Sequence, residues 1–388
     1  MIESLYTTIL AQMPTPPAQP PPVSAPASDP LDLLQDAPYS NFSPELKLTS
    51  RPLTEVLGEY ASPETLFVTD AYNYPRVKYM GATEEVTSGS VQQVLKILAR
   101  PGFNNFKRIV GVGGCLALDI AKAVANDKDL VVAPTLLSTN CITKNRAVIG
   151  EGLHVKSVRT PAPREVVVSV DDLLNQDRET LSHWSQAGWG DFFAKLSAMI
   201  DHAWEKGETA SFASMRKEDA DVIDGLEWLE KSFHGYDRLS MEKLAHYVHT
   251  AGVKVIEAGT NDCSVGGEHK FYKAMMDLYP HLRQIPPHGT VVAVGTLIAM
   301  KAHADATGQP EMYALLRKVF EKIELPLTQE ALDEMGMTRE VLEKSLARIG
   351  QSDVKPSYLG AAFKNGDFSV LDEVFGAAKP SDEWKISA

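Results

Sequence analysis

The sequence predicts an α/β class protein: a mixed first half followed by an all-helical second half. Short apolar runs alternate with amphipathic stretches from Phe42 to Asp171. Strand-like runs almost vanish after Asp171, and a proline-rich stretch before Phe42 can form neither element. Alternation of this kind builds a mostly parallel sheet with helices on both faces. The expected division is a Pro-rich leader over 1–41, an α/β domain over 42–171 and a helical domain over 172–388, and the 388 residues suffice for two cores.

The leader contains Pro14-Thr-Pro-Pro-Ala-Gln-Pro-Pro-Pro22, where fixed φ and missing donors leave an extended tether. Thr65-Leu-Phe-Val-Thr-Asp70 reads as the first buried strand. Ser88 is placed to cap a helix through Arg100, with Val91, Val94, Leu95 and Leu98 on its apolar face. Arg108-Ile-Val-Gly-Val112 is a second strand, followed by a helix over 116–126 that buries Leu118, Ala121, Val124 and Ala125. Leu130–Pro134, Arg146–Ile149 and Glu165–Val170 supply further strands. Beyond Asp171 helices are expected over 191–205, 217–233, 241–258, 268–278, 290–306, 310–323, 328–335 and 339–349.

A formal net charge of −13 argues against nucleic acid or an anionic membrane surface as partner, since both call for a basic footprint. Three scattered cysteines cannot make a disulfide framework, which points to a reducing cytoplasm. No apolar run reaches the roughly 18 residues of a membrane span. The first ten residues have no basic region and carry Glu3, so no secretory signal is expected.

Two groups of residues carry chemistry. The strand ending at Val112 runs into Gly113-Gly114 and then a helix, an arrangement that lets backbone amides approach a phosphate. Asp70, at the end of the neighbouring strand, can accept from a ribose 2′-hydroxyl and would repel a 2′-phosphate, favouring NAD over NADP. Thr135, Ser138 and Thr139 follow another strand and can donate to phosphate or nicotinamide. Farther on, Gly-Trp-Gly-Asp191, Gly-Gly-Glu-His269 and Pro-Pro-His288-Gly each set a ligand beside glycine or proline, at the expected start of an apolar helix. One carboxylate and two imidazoles suit one divalent Zn or Fe and leave a position open for substrate. Asp191 also reads as a plain helix cap. The remaining histidines are expected to be mostly solvated, with His246 and His249 lacking a third ligand.

Gly111-Val-Gly-Gly-Cys115-Leu-Ala-Leu-Asp119-Ile-Ala-Lys122 resembles the glycine-rich signature of the iron-containing alcohol dehydrogenase superfamily. Ala133–Thr139 is similar to that family's next nucleotide-binding stretch. The segments at Asp191, His269 and His288 match its ligand segments in order, glycerol dehydrogenase and sn-glycerol-1-phosphate dehydrogenase being the nearest branches. The resemblance implies a Rossmann-like N-terminal domain and a helical C-terminal one (a dehydroquinate synthase-like fold) with a cleft for NAD(P) and metal. It also implies that Gly113, Gly114, Cys115, Asp119 and Lys122 join Asp70, Thr135, Ser138 and Thr139 around the cofactor, and that Asn140 lies near the substrate. The substrate implied is a small alcohol, polyol or polyol phosphate, with room left for a homo-oligomer.

The chain departs from the pattern where Cys115 replaces a third glycine, Asn140 an aspartate and Thr290 a glutamate. The segment from Asp70 to Ser88 is also expected to be too short for the usual helix and strand. A sugar-phosphate cyclase resembling dehydroquinate synthase, and a non-catalytic protein of the same fold, are the alternatives. Asp rather than Glu at position 191 favours the dehydrogenase, while Lys144-Asn145 and Lys270 or Lys273 keep the cyclase, or a phosphorylated substrate, in view.

Overall fold

The computed structural model describes residues 36–37, 43–151, 154–351 and 356–376; the leader expected over 1–41 lies outside the described residues except for 36 and 37. Six strands form one parallel sheet: β1 (Glu45–Thr49), β2 (Thr65–Asp70), β3 (Ala82–Val86), β4 (Arg108–Gly113), β5 (Asp129–Pro134) and β8 (Glu165–Ser169). Their spatial order is β1-β8-β5-β4-β2-β3. The central strands are continuous apolar runs, as burial on both faces requires. Phe67, Val110, Val112, Val131, Ala133 and Val167 pack under Leu53, Val56 and Leu57 of helix Leu53–Gly58.

Besides β7 (His154–Arg159), the sequence did not announce β1 and β3, which are the edges of this sheet. Their sequences, Glu-Leu-Lys-Leu-Thr and Ala-Thr-Glu-Glu-Val, are polar because an edge strand faces solvent. The segment after Asp70, expected to be too short, holds a one-turn helix, Tyr74–Val77, and then β3. Arg146–Ile149 is a strand, but not of the parallel sheet. β6 (Arg146–Glu151) pairs antiparallel with β7 (His154–Arg159) as a separate hairpin. Ala147 and Ile149 are buried while Val148 is exposed, the alternation of a one-sided ribbon.

In helix Val91–Leu98 the cap is Ser90, whose hydroxyl accepts from Gln93 N, and not Ser88. The helix buries Val91, Val94 and Ile97 and leaves Leu95 and Leu98 exposed.

After β8 the described residues contain helices and 3-10 turns but no strand. The largest departure there is helix Arg178–Phe193, which precedes the expected start at Asp191 and carries that residue in its last turn. Asp191 is therefore not a helix cap. The expected helix over 217–233 is also broken: Asp219 takes an extended conformation between helices Phe212–Glu218 and Ala220–Ser232. Its carboxylate takes the ammonium groups of Lys195 and Lys254.

Candidate active site

Three helices bring the expected ligands together. Asp191 lies in the last turn of Arg178–Phe193, His269 in the first turn of Gly267–Leu278, and His288 opens helix His288–Thr307. One ligand atom from each lies within 4.8 Å of the other two. His288 Nε2 is 3.2 Å from His269 Nε2 and 3.3 Å from Asp191 Oδ1.

The spacing follows from glycines beside the ligands. A Cβ on Gly289 would fall 1.8 Å from the Ala187 carbonyl oxygen, and one on Gly190 2.4 Å from the Gly289 oxygen. Helices Arg178–Phe193 and His288–Thr307 thus meet backbone to backbone. On the other side, a Cβ on Gly188 would fall 1.9 Å from the Leu137 carbonyl oxygen, so the same helix presses on the loop after β5.

These distances fit a bound divalent ion. Ligands on a tetrahedral ion with bonds of about 2.0–2.1 Å stand about 3.3 Å apart. Burial alone would push the Asp191 carboxyl up. The hydrogen bond and charge of His288, with the charges of His269 and Lys144, outweigh burial and hold it at about 2. Burial pushes His288 down, toward the neutral imidazole that a metal requires. The Tyr272 ring meets the His288 ring edge-on at 4.5 Å.

The turn after β4 is built as expected. Gly113 has φ of +135°, and a Cβ there would lie 2.0 Å from Asp70 Oδ2, so only glycine serves. Gly114 precedes helix Cys115–Ala125, whose N-terminus faces the C-terminal end of the sheet between β2 and β4. The strand order reverses at that point, between β2 and β4, where open parallel sheets bind ligands. Asp70 stands there, its Oδ2 accepting the Gly114 N–H at 3.1 Å and its Oδ1 the Asn73 backbone and side-chain N–H groups at 2.9 Å.

Asp119 and Lys122 lie elsewhere. Lys122 is fully buried and donates to Asp119 Oδ1, the Cys141 carbonyl and the Arg146 carbonyl, and Asp119 Oδ2 accepts from Val148 N. With its three donors spent, Lys122 has none for a phosphate. The pair ties the helix to the β6–β7 hairpin.

Cys115 turns toward the neighbouring loop, its Sγ 3.8 Å from Ser138 Oγ. A hydrogen bond with Cys141 pulls the Cys115 thiol below its ordinary value and pushes the Cys141 thiol well above it.

Residues 135–140 link the two groups. Thr135 N donates to the Gly113 carbonyl at 3.1 Å, and Asn140 N donates to Asp191 Oδ2 at 3.0 Å. Asn140 reaches the ligand through its backbone. Five extended residues span at most about 18 Å, which bounds the distance from phosphate turn to metal ligands. Thr139 Oγ1 caps the 3-10 turn by accepting from Cys141 N, and Thr135 Oγ1 accepts from Asn73 Nδ2 at 3.3 Å.

Two histidines expected to be solvated are buried. His249 Nδ1 pairs with Thr143 Oγ1 at 2.9 Å, and His303 Nε2 with the Ala210 carbonyl at 2.9 Å. Both sit on helix faces that pack inward, which isolated histidines do not reveal. Sequence reasoning also passed over Glu268, whose fully buried carboxylate bonds His269 Nδ1 at 2.6 Å. An acid directly before a ligand histidine was the available signal.

Comparison with a protein family covers Asp70 and the turn at Gly113-Gly114 but ends before Asp191. The model of the family described as iron-containing alcohol dehydrogenase matches residues 69–174. A glycerol-1-phosphate dehydrogenase [NAD(P)+] of Sulfurisphaera tokodaii is 28% identical over 274 residues, covering 68% of this chain and 71% of that protein. The enzyme of the same description from Archaeoglobus fulgidus is 25% identical, covering 77% and 79%. The chain is thus similar to iron-containing alcohol dehydrogenases over residues 69–174 and to glycerol-1-phosphate dehydrogenases over 68–77% of its length. Proteins of known structure share its fold. A probable glycerol dehydrogenase from Sinorhizobium meliloti superposes with a TM-score of 0.63 at 17% identity, covering 86% of this chain and 98% of that one. Glycerol dehydrogenase from Schizosaccharomyces pombe gives 0.61 at 18% identity, covering 87% and 92%.

Proposed function

We propose that this chain is a metal-dependent, NAD(P)-linked oxidoreductase that interconverts a small polyol or polyol phosphate and its carbonyl form. The observation that carries this reading is the meeting of Asp191, His269 and His288 at one end of residues 135–140, whose other end is bonded to the Gly113-Gly114 turn. Relatives described as glycerol-1-phosphate dehydrogenases support the substrate class.

Asp191, His269 and His288 would hold one Zn or Fe, a Lewis acid that lowers the pKa of a substrate hydroxyl by many units. The nicotinamide supplies the hydride acceptor. The first turn of helix Cys115–Ala125 offers amides for the pyrophosphate, and Gly113 and Gly114 leave room for it to approach. Asp70 faces the ribose and favours NAD. Thr135, Ser138 and Thr139 line the path toward the ligands, and Asn140 holds Asp191 in place through its amide. Tyr272 closes one side of His288 against water.

A phosphate on the substrate needs a counter-charge in a chain of net charge −13. Lys144 acts electrostatically on both Asp191 and His288 and is in no ion pair among the described residues. Arg283 has a buried Nε without a partner among the described residues and acts on Tyr272. We assign both to the substrate's phosphate end. No described helix is long and apolar enough to cross a membrane, and we place the protein in the cytoplasm, without a nucleic-acid or membrane partner.

The test is metal content together with NAD⁺ and NADP⁺ reduction across glycerol, its two phosphates and related polyols. Metal near one equivalent per chain and turnover of a polyol or polyol phosphate are expected. A metal-loaded protein inert with the whole panel would overturn the reading. In Lys144→Met, KM should rise for phosphorylated substrates and hold for unphosphorylated ones.

A further inference from the structure

Glu268 is the acid that sequence reasoning left without a role, and its surroundings are unusual for a carboxylate. It has no solvent exposure. Oε1 accepts from Gly266 N at 2.8 Å and from His269 Nδ1 at 2.6 Å, while Oε2 is buried without a partner among the described residues. A buried carboxylate with an idle oxygen is costly unless a positive charge stands near.

We propose that Glu268 is the positioning residue of the metal centre, holding His269 with Nε2 stripped of its proton and aimed at His288 and Asp191. A carboxylate can only accept, so the proton shared with His269 belongs to Nδ1. The neutral ring then has a bare lone pair on Nε2, the atom found 3.2 Å from His288 Nε2. A carboxylate behind a ligand imidazole also makes it more basic. The bond to Gly266 N fixes Oε1 independently of the histidine, so the carboxylate is anchored before any ion arrives.

This inference rests on the ligand set assigned above, and the experiment separates the two. Full-length wild type, Glu268→Gln, Glu268→Met and His288→Ala are freed of metal and titrated with Co²⁺ against a competing chelator. Visible absorption reports the geometry of the bound ion, and far-UV circular dichroism the fold. Wild type should bind one Co²⁺ and His288→Ala essentially none. Glu268→Gln keeps an acceptor but drops the charge, and should bind about 10-fold more weakly. Glu268→Met removes both and should lose about 100-fold, with altered absorption bands. A mere helix cap would leave affinity and absorption unchanged. Affinity within threefold of wild type and an unchanged spectrum in Glu268→Gln overturn the role, whether or not Glu268→Met folds. Failure of wild type itself to bind Co²⁺ overturns the ligand set, and this inference with it.

Discussion

Asp70 Oδ2 accepts the Gly114 N–H at 3.1 Å, so a carboxylate from the end of β2 already engages an amide of the turn assigned to the pyrophosphate. The same residue thereby shapes the turn and, on our reading, faces the ribose. Wild type is expected to favour NAD⁺ over NADP⁺ in kcat/KM. Asp70→Ser should cut that ratio at least 10-fold, about 1.4 kcal/mol, while weakening both cofactors through the loosened turn. A wild type that prefers NADP⁺ tenfold would remove Asp70 from this role.

Removal of a ligand should empty the metal centre without unfolding it. The helix of Asp191 packs Trp189 on Trp228 and Tyr247 and Phe193 on Phe320, and it meets the helix of His288 backbone to backbone at Gly190 and Gly289. His288→Ala should therefore lose its metal at chelator concentrations that leave wild type loaded, with far-UV circular dichroism unchanged. Full occupancy in the variant, measured by elemental analysis, contradicts the assignment.

Cysteine reactivity gives a separate check on the phosphate turn. The hydrogen bond from Cys141 lowers the Cys115 thiol, while the same bond raises Cys141 and burial raises Cys263. At pH 7.5 iodoacetamide should label Cys115 well ahead of the other two, since the thiolate is the nucleophile. NAD(H) bound over helix Cys115–Ala125 should slow that labelling. Peptide mapping by mass spectrometry reads both effects, and equal rates at all three cysteines would contradict the first.

Asp201 should make the metal-free protein respond to pH in a definite direction. Burial, helped by the charge of Glu268, pushes its carboxyl up to about 6 from an ordinary 3.8. Between those values the folded state keeps a proton that the unfolded chain has released. The stabilising contribution of the protonated group is complete below 3.8 and is lost as pH rises through about 6. Asp201→Asn keeps an acceptor for Tyr358 N, now bonded at 2.7 Å, and removes the charge. It should stabilise the apoprotein by about 2 kcal/mol at pH 7.5 and hardly at all at pH 4. Urea melts at the two pH values test this, and an equal gain at both would count against it.

Most of the sheet was legible because β2, β4, β5 and β8 are apolar runs of a kind that only a doubly covered strand needs. The edges β1 and β3 were not, since solvent on one side permits polar residues there. Gly188 and Gly190 suggested a loop before Asp191, yet they lie inside helix Arg178–Phe193 because backbone from Leu137 and Gly289 presses on them. A tertiary demand of that sort leaves the same mark in sequence as a turn. The grouping of Asp191, His269 and His288 was legible only collectively, each being an ordinary cap or loop residue alone. The resemblance sets Lys122 beside the cofactor. Nothing local reveals that the Cys141 and Arg146 carbonyls take its donors.

The contact between the helices that carry Asp191 and His288 has a consequence for which ions can enter. Side chains on touching main chains cannot be drawn apart without prising open a packed interior. The opening between the donor atoms is thus a gauge of nearly fixed width. On the ligand set proposed above, zinc, with bonds of about 2.0–2.1 Å, would fit it, whereas calcium, needing about 2.3–2.6 Å and six or more oxygens, would not. Sorting by ionic radius is then a property of two glycine-bearing helices as much as of the nitrogen and oxygen donors they present.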